Sequence, residues 1–111
     1  MSKLYDKSNV FYKIINKQIH CKVIYEDDAC FCFYDINPKA KVHALLIPKA
    51  EVVDFDDFIE KSTKEQVCDF FTKAHFVAKD ILKLKDYQLH TNNGAGAGQV
   101  VFHFHLHILA N

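Results

Sequence analysis

"VVFHFHLHIL", residues 100–109, alternates apolar side chains with histidines and is the stretch that best decides the fold. Side chains of a strand point alternately to the two faces of a sheet, so His103, His105 and His107 should share one face. The opposite face should be apolar and pack on a helix; it carries Phe102, Phe104, Leu106 and Ile108. We therefore predict a strand whose histidine face lines something other than the core.

Two kinds of chemistry suit such a row of histidines. A His-x-His pair on a strand can bind zinc, but the Cα atoms of His103 and His107 should lie about 13 Å apart. A metal would therefore take two of the three, together with His43 or His90 and a carboxylate. Alternatively, one imidazole attacks a phosphorus or acyl centre while its neighbours hold its tautomer and handle the leaving-group proton. Clustered imidazoles disfavour each other's cationic form, which keeps a nucleophilic ring neutral.

The glycine-rich stretch "NNGAGAGQ", residues 92–99, favours the covalent interpretation. It joins two predicted strands, so it differs from the dinucleotide fingerprint, which opens a helix. Beside a histidine face, its three glycines would let the backbone approach a ligand and present N–H groups to an anion. Because the sequence contains no arginine, a phosphate would have to be held by backbone N–H groups, lysine or histidine.

The remaining pattern predicts an α+β fold with a five-stranded antiparallel sheet, one long helix and one or two short helices. Short-range periodicity predicts a short helix over residues 9–17. The predicted strands cover residues 21–25, 29–36, 42–49, 86–92 and 100–109. A capping box of Ser62 and Glu65 should start the long helix. Its apolar stripe should consist of Val67, Phe71, Ala74, Ala78 and Ile81.

Composition limits the class of protein. A chain of 111 residues is enough for one core, so we expect a single domain over residues 1–111. Fourteen acidic residues balance fourteen basic ones, which argues against a nucleic-acid partner. The longest apolar run, residues 29–34, is too short to span a membrane, and the N-terminal residues lack a signal segment. The sequence has four cysteines, which we interpret as reduced core residues. Because cysteines stay reduced in the cytosol, we expect a cytoplasmic protein.

Three stretches of the sequence resemble one known family. "HFHLHIL" after "GQ" resembles the His-x-His-x-His signature of the histidine triad (HIT) superfamily. Residues 11–49 are similar to the N-terminal half of the branch of histidine triad nucleotide-binding proteins, and residues 92–99 resemble the loop of that branch. The resemblance covers nearly the whole chain.

The resemblance implies a HIT-like fold whose sheet extends across a homodimer, and an activity. Members of the branch bind purine nucleoside monophosphates and hydrolyse phosphoramidates or related nucleotidyl bonds through a nucleotidyl-histidine intermediate, without a cofactor. The nucleophile would be His105. His107 would lie beside the phosphate and leaving group, while His103 and His43 would belong to the hydrogen-bonded histidine network. Which ring protonates the leaving group stays open.

The resemblance also implies a nucleotide-binding site. Asp35 would bind the ribose, since a carboxylate can accept hydrogen bonds from both ribose hydroxyls. The base pocket would be formed by Val10, Phe11, Ile14, Phe33 and Ile36. The phosphate loop would include Asn92, Gly98 and Gln99.

Four departures from the family pattern keep alternatives open. Val100 stands where many members have a Ser or Thr that meets the phosphate, and the sequence ends at Asn111 without the usual tail, so we expect altered substrate selectivity. "NVFY" at residues 9–12 replaces a zinc-binding C-x-x-C, and Glu51 replaces a histidine, so we expect no metal. The alternatives are a nucleotide-binding or protein-interaction module with little turnover, and a His-ligated metalloenzyme.

Overall fold

The computed structural model describes residues 3–111; Met1 and Ser2, part of the charged N-terminal stretch, lie outside them. Its sheet has five antiparallel strands, β1 (Val23–Glu26), β2 (Cys30–Tyr34), β3 (Val42–Pro48), β4 (Gln88–His90) and β5 (Leu106–Ala110). The strand order across the sheet is β1-β2-β3-β5-β4. The predicted five-stranded antiparallel sheet is therefore confirmed, with β4 and β5 shorter than predicted.

Within residues 3–111, three α-helices accompany the sheet, α1 (Val10–Ile15), α2 (Phe55–Lys61) and α3 (Lys64–Phe76), and a short 3-10 turn covers Ala95–Ala97. A π-helical turn over Val77–Ile81 continues α3, so this segment is the predicted long helix. Within residues 3–111, none of the helices is long and apolar enough to cross a membrane. The α+β class is thus confirmed, with two short helices beside the long one.

The central strands β2 and β3 are buried on both faces of the sheet. On one face, strand residues such as Leu46 and Ile108 pack with Phe58 of α2 and Phe70 of α3. On the other, residues including Leu45 pack with α1. Burial on both faces explains why β2 and β3 are almost continuously apolar instead of alternating.

The start of α3 lies one residue later than predicted. Ser62 is the C-cap of α2, and its N–H donates to the Phe58 carbonyl. Thr63 is the N-cap of α3 and forms the capping box with Gln66. The predicted Ser62–Glu65 capping box is therefore wrong, because α2 ends on the serine that was assigned to the next helix.

Two predictions of side-chain burial are also wrong. In α3, Phe70 is 4% exposed and points into the core, whereas the predicted Phe71 is 36% exposed. The π-helical turn shifts the helix phase after Phe76, so a stripe drawn at a constant helical period cannot match the whole segment. Cys68 is exposed, unlike the buried Cys30 and Cys32, so it is not a core residue.

The histidine segment is a strand only in its second half. β5 begins at Leu106, and residues 101–105 are irregular. Phe104 still packs on the helical side, where its ring stacks on Phe58 with centroids 4.7 Å apart. Phe102, however, is 39% exposed, and His103 is completely buried. The predicted strict alternation thus holds from Phe104 onward and fails before it.

Candidate functional site

A cavity of about 800 Å³ lies on the α1 side of the sheet. It lies among α1, β2, β3, β5 and β4, with the loop before β5 at its rim. The predicted site residues that line it are Val10, Phe11, Ile14, Phe33, Asp35, Ile36, His43, Asn92, Gly98, His105 and His107. Two predicted site residues, His103 and Gln99, do not line the cavity.

The protonation of His105 is set by a main-chain contact. Its Nδ1 lies 2.7 Å from the carbonyl oxygen of His103. A carbonyl can only accept, so the Nδ1–H donates and Nε2 of the neutral ring keeps its lone pair. The ring is 7% exposed, and this burial lowers its pKa from the usual 6.5. The Phe11 ring packs edge to face against the His105 ring, with the two ring centroids 4.9 Å apart. The structure therefore holds a neutral imidazole with an unprotonated nitrogen at the cavity.

His43 and His107 form a second, oriented pair. The N–H of Lys39 donates to His43 Nδ1 at 3.0 Å, so the proton of neutral His43 is on Nε2. This Nε2 lies 2.9 Å from His107 Nδ1, which must accept. The proton of neutral His107 is consequently on its Nε2. Burial, together with the charges of neighbouring histidines, lowers the pKa of His107 to about 3.

Asp35 lies just after β2, next to this pair. Its Oδ1 accepts from the N–H of Asn37 at 2.8 Å, and its Oδ2 is 3.5 Å from His43 Nε2. One carboxylate oxygen is therefore fixed by a local turn, and the other is directed toward the histidines. Asp35 lines the same cavity as His105.

Asp35, His43 and His107 are also close enough to be considered as metal ligands, since one ligand atom from each lies within 4.8 Å of the others. The hydrogen bonds oppose this use. His43 Nε2 carries a proton, and the His107 Nδ1 lone pair accepts it. A metal would therefore have to break the Lys39 contact before His43 could offer a lone pair. The hydrogen-bond network accounts for the cluster as it stands.

His103 is buried beside the site and does not line the cavity. Its Nε2–H donates to the Pro48 carbonyl at 2.7 Å, and its Nδ1 accepts from the Tyr5 hydroxyl. Complete burial lowers its pKa to about 4. The His103 ring lies on the same α1 side as His105, with its centroid 6.5 Å from that of Phe11, but it is buried and does not line the cavity. Its contribution to His105 is the carbonyl that receives the Nδ1–H.

Gln99 has a structural role in the loop. Its side-chain amide donates to the carbonyls of Val53 and Val101 at 2.8 and 3.0 Å. Its Oε1 accepts from the N–H of Gly94 at 2.8 Å. At 5% exposure, the side chain is used to hold the loop closed and is not directed at a ligand.

The loop offers fewer N–H groups to an anion than the glycine pattern predicts. The N–H groups of Ala97, Gly98 and Gln99 donate to carbonyls inside the loop. Gly98, at φ +94°, takes a left-handed conformation that closes this turn. Val100 follows it, is 83% exposed and lines the cavity. Within residues 3–111, its N–H has no main-chain partner and remains available to a ligand.

Sequence reasoning considered His90 only as a metal ligand. It lies on β4 directly opposite His107 of β5 and lines the same cavity. The two rings stack with centroids 4.3 Å apart and planes inclined by 10°. The register of β4 against β5 was the missing information, because the two histidines are seventeen positions apart in the chain.

The fold agrees with comparisons to known proteins. Residues 16–111 match the HIT domain family, so the chain belongs to the HIT family. It is 44% identical to a HIT-like protein of Rickettsia prowazekii, over 96% of this chain and 89% of that one. It is 38% identical to the adenylylsulfatase HINT3 of Arabidopsis thaliana, over 90% of this chain and 50% of that one.

Among solved structures, a HIT family hydrolase from Clostridium thermocellum superimposes with a TM-score of 0.82. Its sequence is 36% identical, and the match covers 96% of this chain and 92% of that one. The HIT-like fold implied by the resemblance is thereby confirmed.

Proposed function

We propose that this chain is a purine nucleoside phosphoramidate or nucleotidyl hydrolase that works through a covalent nucleotidyl intermediate on His105. The observation that carries the proposal is the hydrogen bond from His105 Nδ1–H to the His103 carbonyl. It leaves the other ring nitrogen unprotonated in a residue that lines the cavity, as nucleophilic catalysis requires.

Two of the named relatives support this chemistry. The solved C. thermocellum protein is called a hydrolase, and the Arabidopsis protein is called an adenylylsulfatase. Hydrolysis of a nucleotidyl bond fits both names. It also fits this cavity, which combines a neutral imidazole, a carboxylate proposed to bind the ribose and an apolar slot.

The reaction follows from the hydrogen-bonded tautomers. The His105 Nε2 lone pair forms a bond to the α-phosphorus, and the bond to the leaving group breaks with its electron pair. An amine leaving group takes up a proton; neutral His107 carries one on Nε2 and lies with its ring 5.0 Å from that of His105. Water then attacks phosphorus and gives up a proton that restores neutral His107, while the P–Nε2 bond breaks with its electron pair returning to His105 and nucleoside monophosphate leaves.

The remaining lining suits a nucleoside. Phe33 and Phe11 form an apolar floor, with rings 5.4 Å apart, on which a base can pack. Ile36 is 91% exposed at the cavity edge and would be covered by the bound base. Asp35 would accept from the ribose hydroxyls, and the N–H of Val100 would donate to the phosphate.

We further propose that residues 1–111 form a single domain that acts in the cytoplasm as a homodimer. Extension of the sheet needs a free edge, and the outer strands are β1 and β4. Val23 on β1 and Leu89 on β4 are 48% and 45% exposed, so either edge presents apolar surface. Sedimentation equilibrium should give twice the monomer mass.

The test of the activity is the replacement His105→Asn. Hydrolysis of adenosine 5′-phosphoramidate should fall by at least about 10³-fold, the scale of losing a nucleophile. His75→Asn is the matched control, because His75 is exposed on α3. Undiminished turnover in His105→Asn would exclude the proposal. Saturable AMP binding with neither turnover nor a nucleotide adduct in the wild type would instead favour the binding module, which the absence of a hydroxyl at Val100 also favours.

A further inference from the structure

His90 lines the cavity but has no role in the chemistry above. It lies on β4 directly opposite His107, so both side chains are on the cavity face of the sheet. Its ring covers one face of the His107 ring at 4.3 Å. Within residues 3–111, no hydrogen bond to either nitrogen of His90 is formed, so both nitrogens can meet a ligand.

The strand order gives the bound substrate a direction. Phe33 belongs to β2 and Asp35 follows its last residue, the histidine pair joins β3 to β5, and His90 lies on β4. Neighbouring strands are about 4.8 Å apart, so a nucleoside over β2 and β3 places its α-phosphorus near β5. Whatever is attached to that phosphorus on the far side extends over β4. His90 is therefore beside the leaving group.

The charge of the lining indicates what kind of leaving group fits. Two lysines and five histidines line the cavity, against the single carboxylate of Asp35. That carboxylate lies just after β2, which is separated from β4 by β3 and β5. An anion over β4 would thus meet imidazole N–H donors and no acid. Because the chain has no arginine, histidine is the residue available for such a contact.

From this placement we propose that His90 determines leaving-group specificity by donating a hydrogen bond to an anionic leaving group, such as the sulfate of a nucleotidyl sulfate. The inference rests on the function proposed above and names, within its substrate class, the nucleotidyl esters or anhydrides with an anionic leaving group as the substrates that His90 favours. In this role His90 contacts substrate directly; the bond changes at phosphorus are those given above, with sulfate leaving as the anion and needing no proton.

The test compares two substrates that differ only in the leaving group, adenosine 5′-phosphosulfate and adenosine 5′-phosphoramidate. His90→Phe keeps an aromatic ring that can stack on His107 but removes both nitrogens. We expect kcat/KM for the phosphosulfate to fall about tenfold, the loss of one hydrogen bond to a charged group. The value for the phosphoramidate should stay within about twofold, because its amine carries no charge to be held.

Three comparisons separate this role from a structural one. His90→Gln retains a donor and should recover part of the phosphosulfate activity, whereas His75→Phe, an exposed control on α3, should change neither substrate. If His90 only orients His107 by stacking, His90→Phe should be harmless and His90→Ala should slow both substrates equally. Equal effects of His90→Phe on both substrates, or none, would overturn the proposal.

A binding measurement keeps the inference testable even if the hydrolase assignment fails. In the His105→Asn background, adding His90→Phe should weaken phosphosulfate binding about tenfold and leave AMP binding unchanged. A wild type that turns over neither substrate would refute the proposed function alone. Unchanged phosphosulfate affinity would refute the role of His90 alone.

Discussion

Replacing His103 with glutamine should reduce the loss in free energy of unfolding that the protein undergoes as the pH falls. The ring is fully buried, and its pKa of about 4 lies well below the usual 6.5. Between these two values, the unfolded chain binds a proton that the folded chain does not. The stabilisation from the neutral ring is therefore present above pH 6.5 and is lost as the pH falls toward 4.

The size of the effect follows from the two pKa values. A difference of one pKa unit between the folded and unfolded states corresponds to about 1.4 kcal/mol. His103 should therefore account for a loss of about 3 kcal/mol in the free energy of unfolding between pH 7 and pH 4. His103→Gln will also be less stable at pH 7, because the Pro48 and Tyr5 contacts change. The slope against pH, and not the absolute stability, is the quantity to compare.

The assay is urea unfolding at a series of pH values between 7 and 4. The wild type should lose about 3 kcal/mol more than His103→Gln over this range. His75→Gln, which alters an exposed histidine on α3, should have the slope of the wild type. Equal slopes for wild type and His103→Gln would refute the conclusion that His103 is a buried neutral support.

Three further predictions concern the site and the core. His43→Phe removes the donor to His107 Nδ1 and should lower kcat/KM for adenosine 5′-phosphoramidate by about 10²-fold; wild-type kinetics would contradict the tautomer assignment. Since burial lowers the pKa of His105, kcat/KM should stay constant as the pH falls to 6.5 and decline only below it; a decline that begins above 6.5 would be inconsistent with a buried neutral nucleophile. Phe104→Ala removes a 1% exposed ring stacked on Phe58 and should cost about 3–5 kcal/mol in urea unfolding; a loss below about 1 kcal/mol would show that Phe104 is not part of the core.

The sheet and its strand assignments could be predicted because they depend on local patterns. The runs that form β2 and β3 are apolar and bounded by turn residues, and the sequence 106–110 keeps the alternation of a strand. The cap of α3 was misplaced because two cap sequences, Ser62 and Thr63, are adjacent. The order of strands across the sheet depends on long-range pairing, which local sequence patterns do not predict.

The same distinction applies to the site. Residues such as His105 and Asp35 could be proposed from the motif and its resemblance, and the structure places them at one cavity. The position of His103 could not, because its burial depends on Tyr5 and Pro48, which are distant in the chain. His90 likewise becomes a neighbour of His107 only through the β4–β5 register.

The stereochemical course at phosphorus tests the central claim most directly. Hydrolysis through a nucleotidyl–His105 intermediate involves two displacements, each inverting the α-phosphorus, so a substrate made chiral there should give product with net retention. Direct attack by water is a single displacement and gives inversion. Retention is the predicted result, and inversion would contradict the assignment of His105 as the nucleophile.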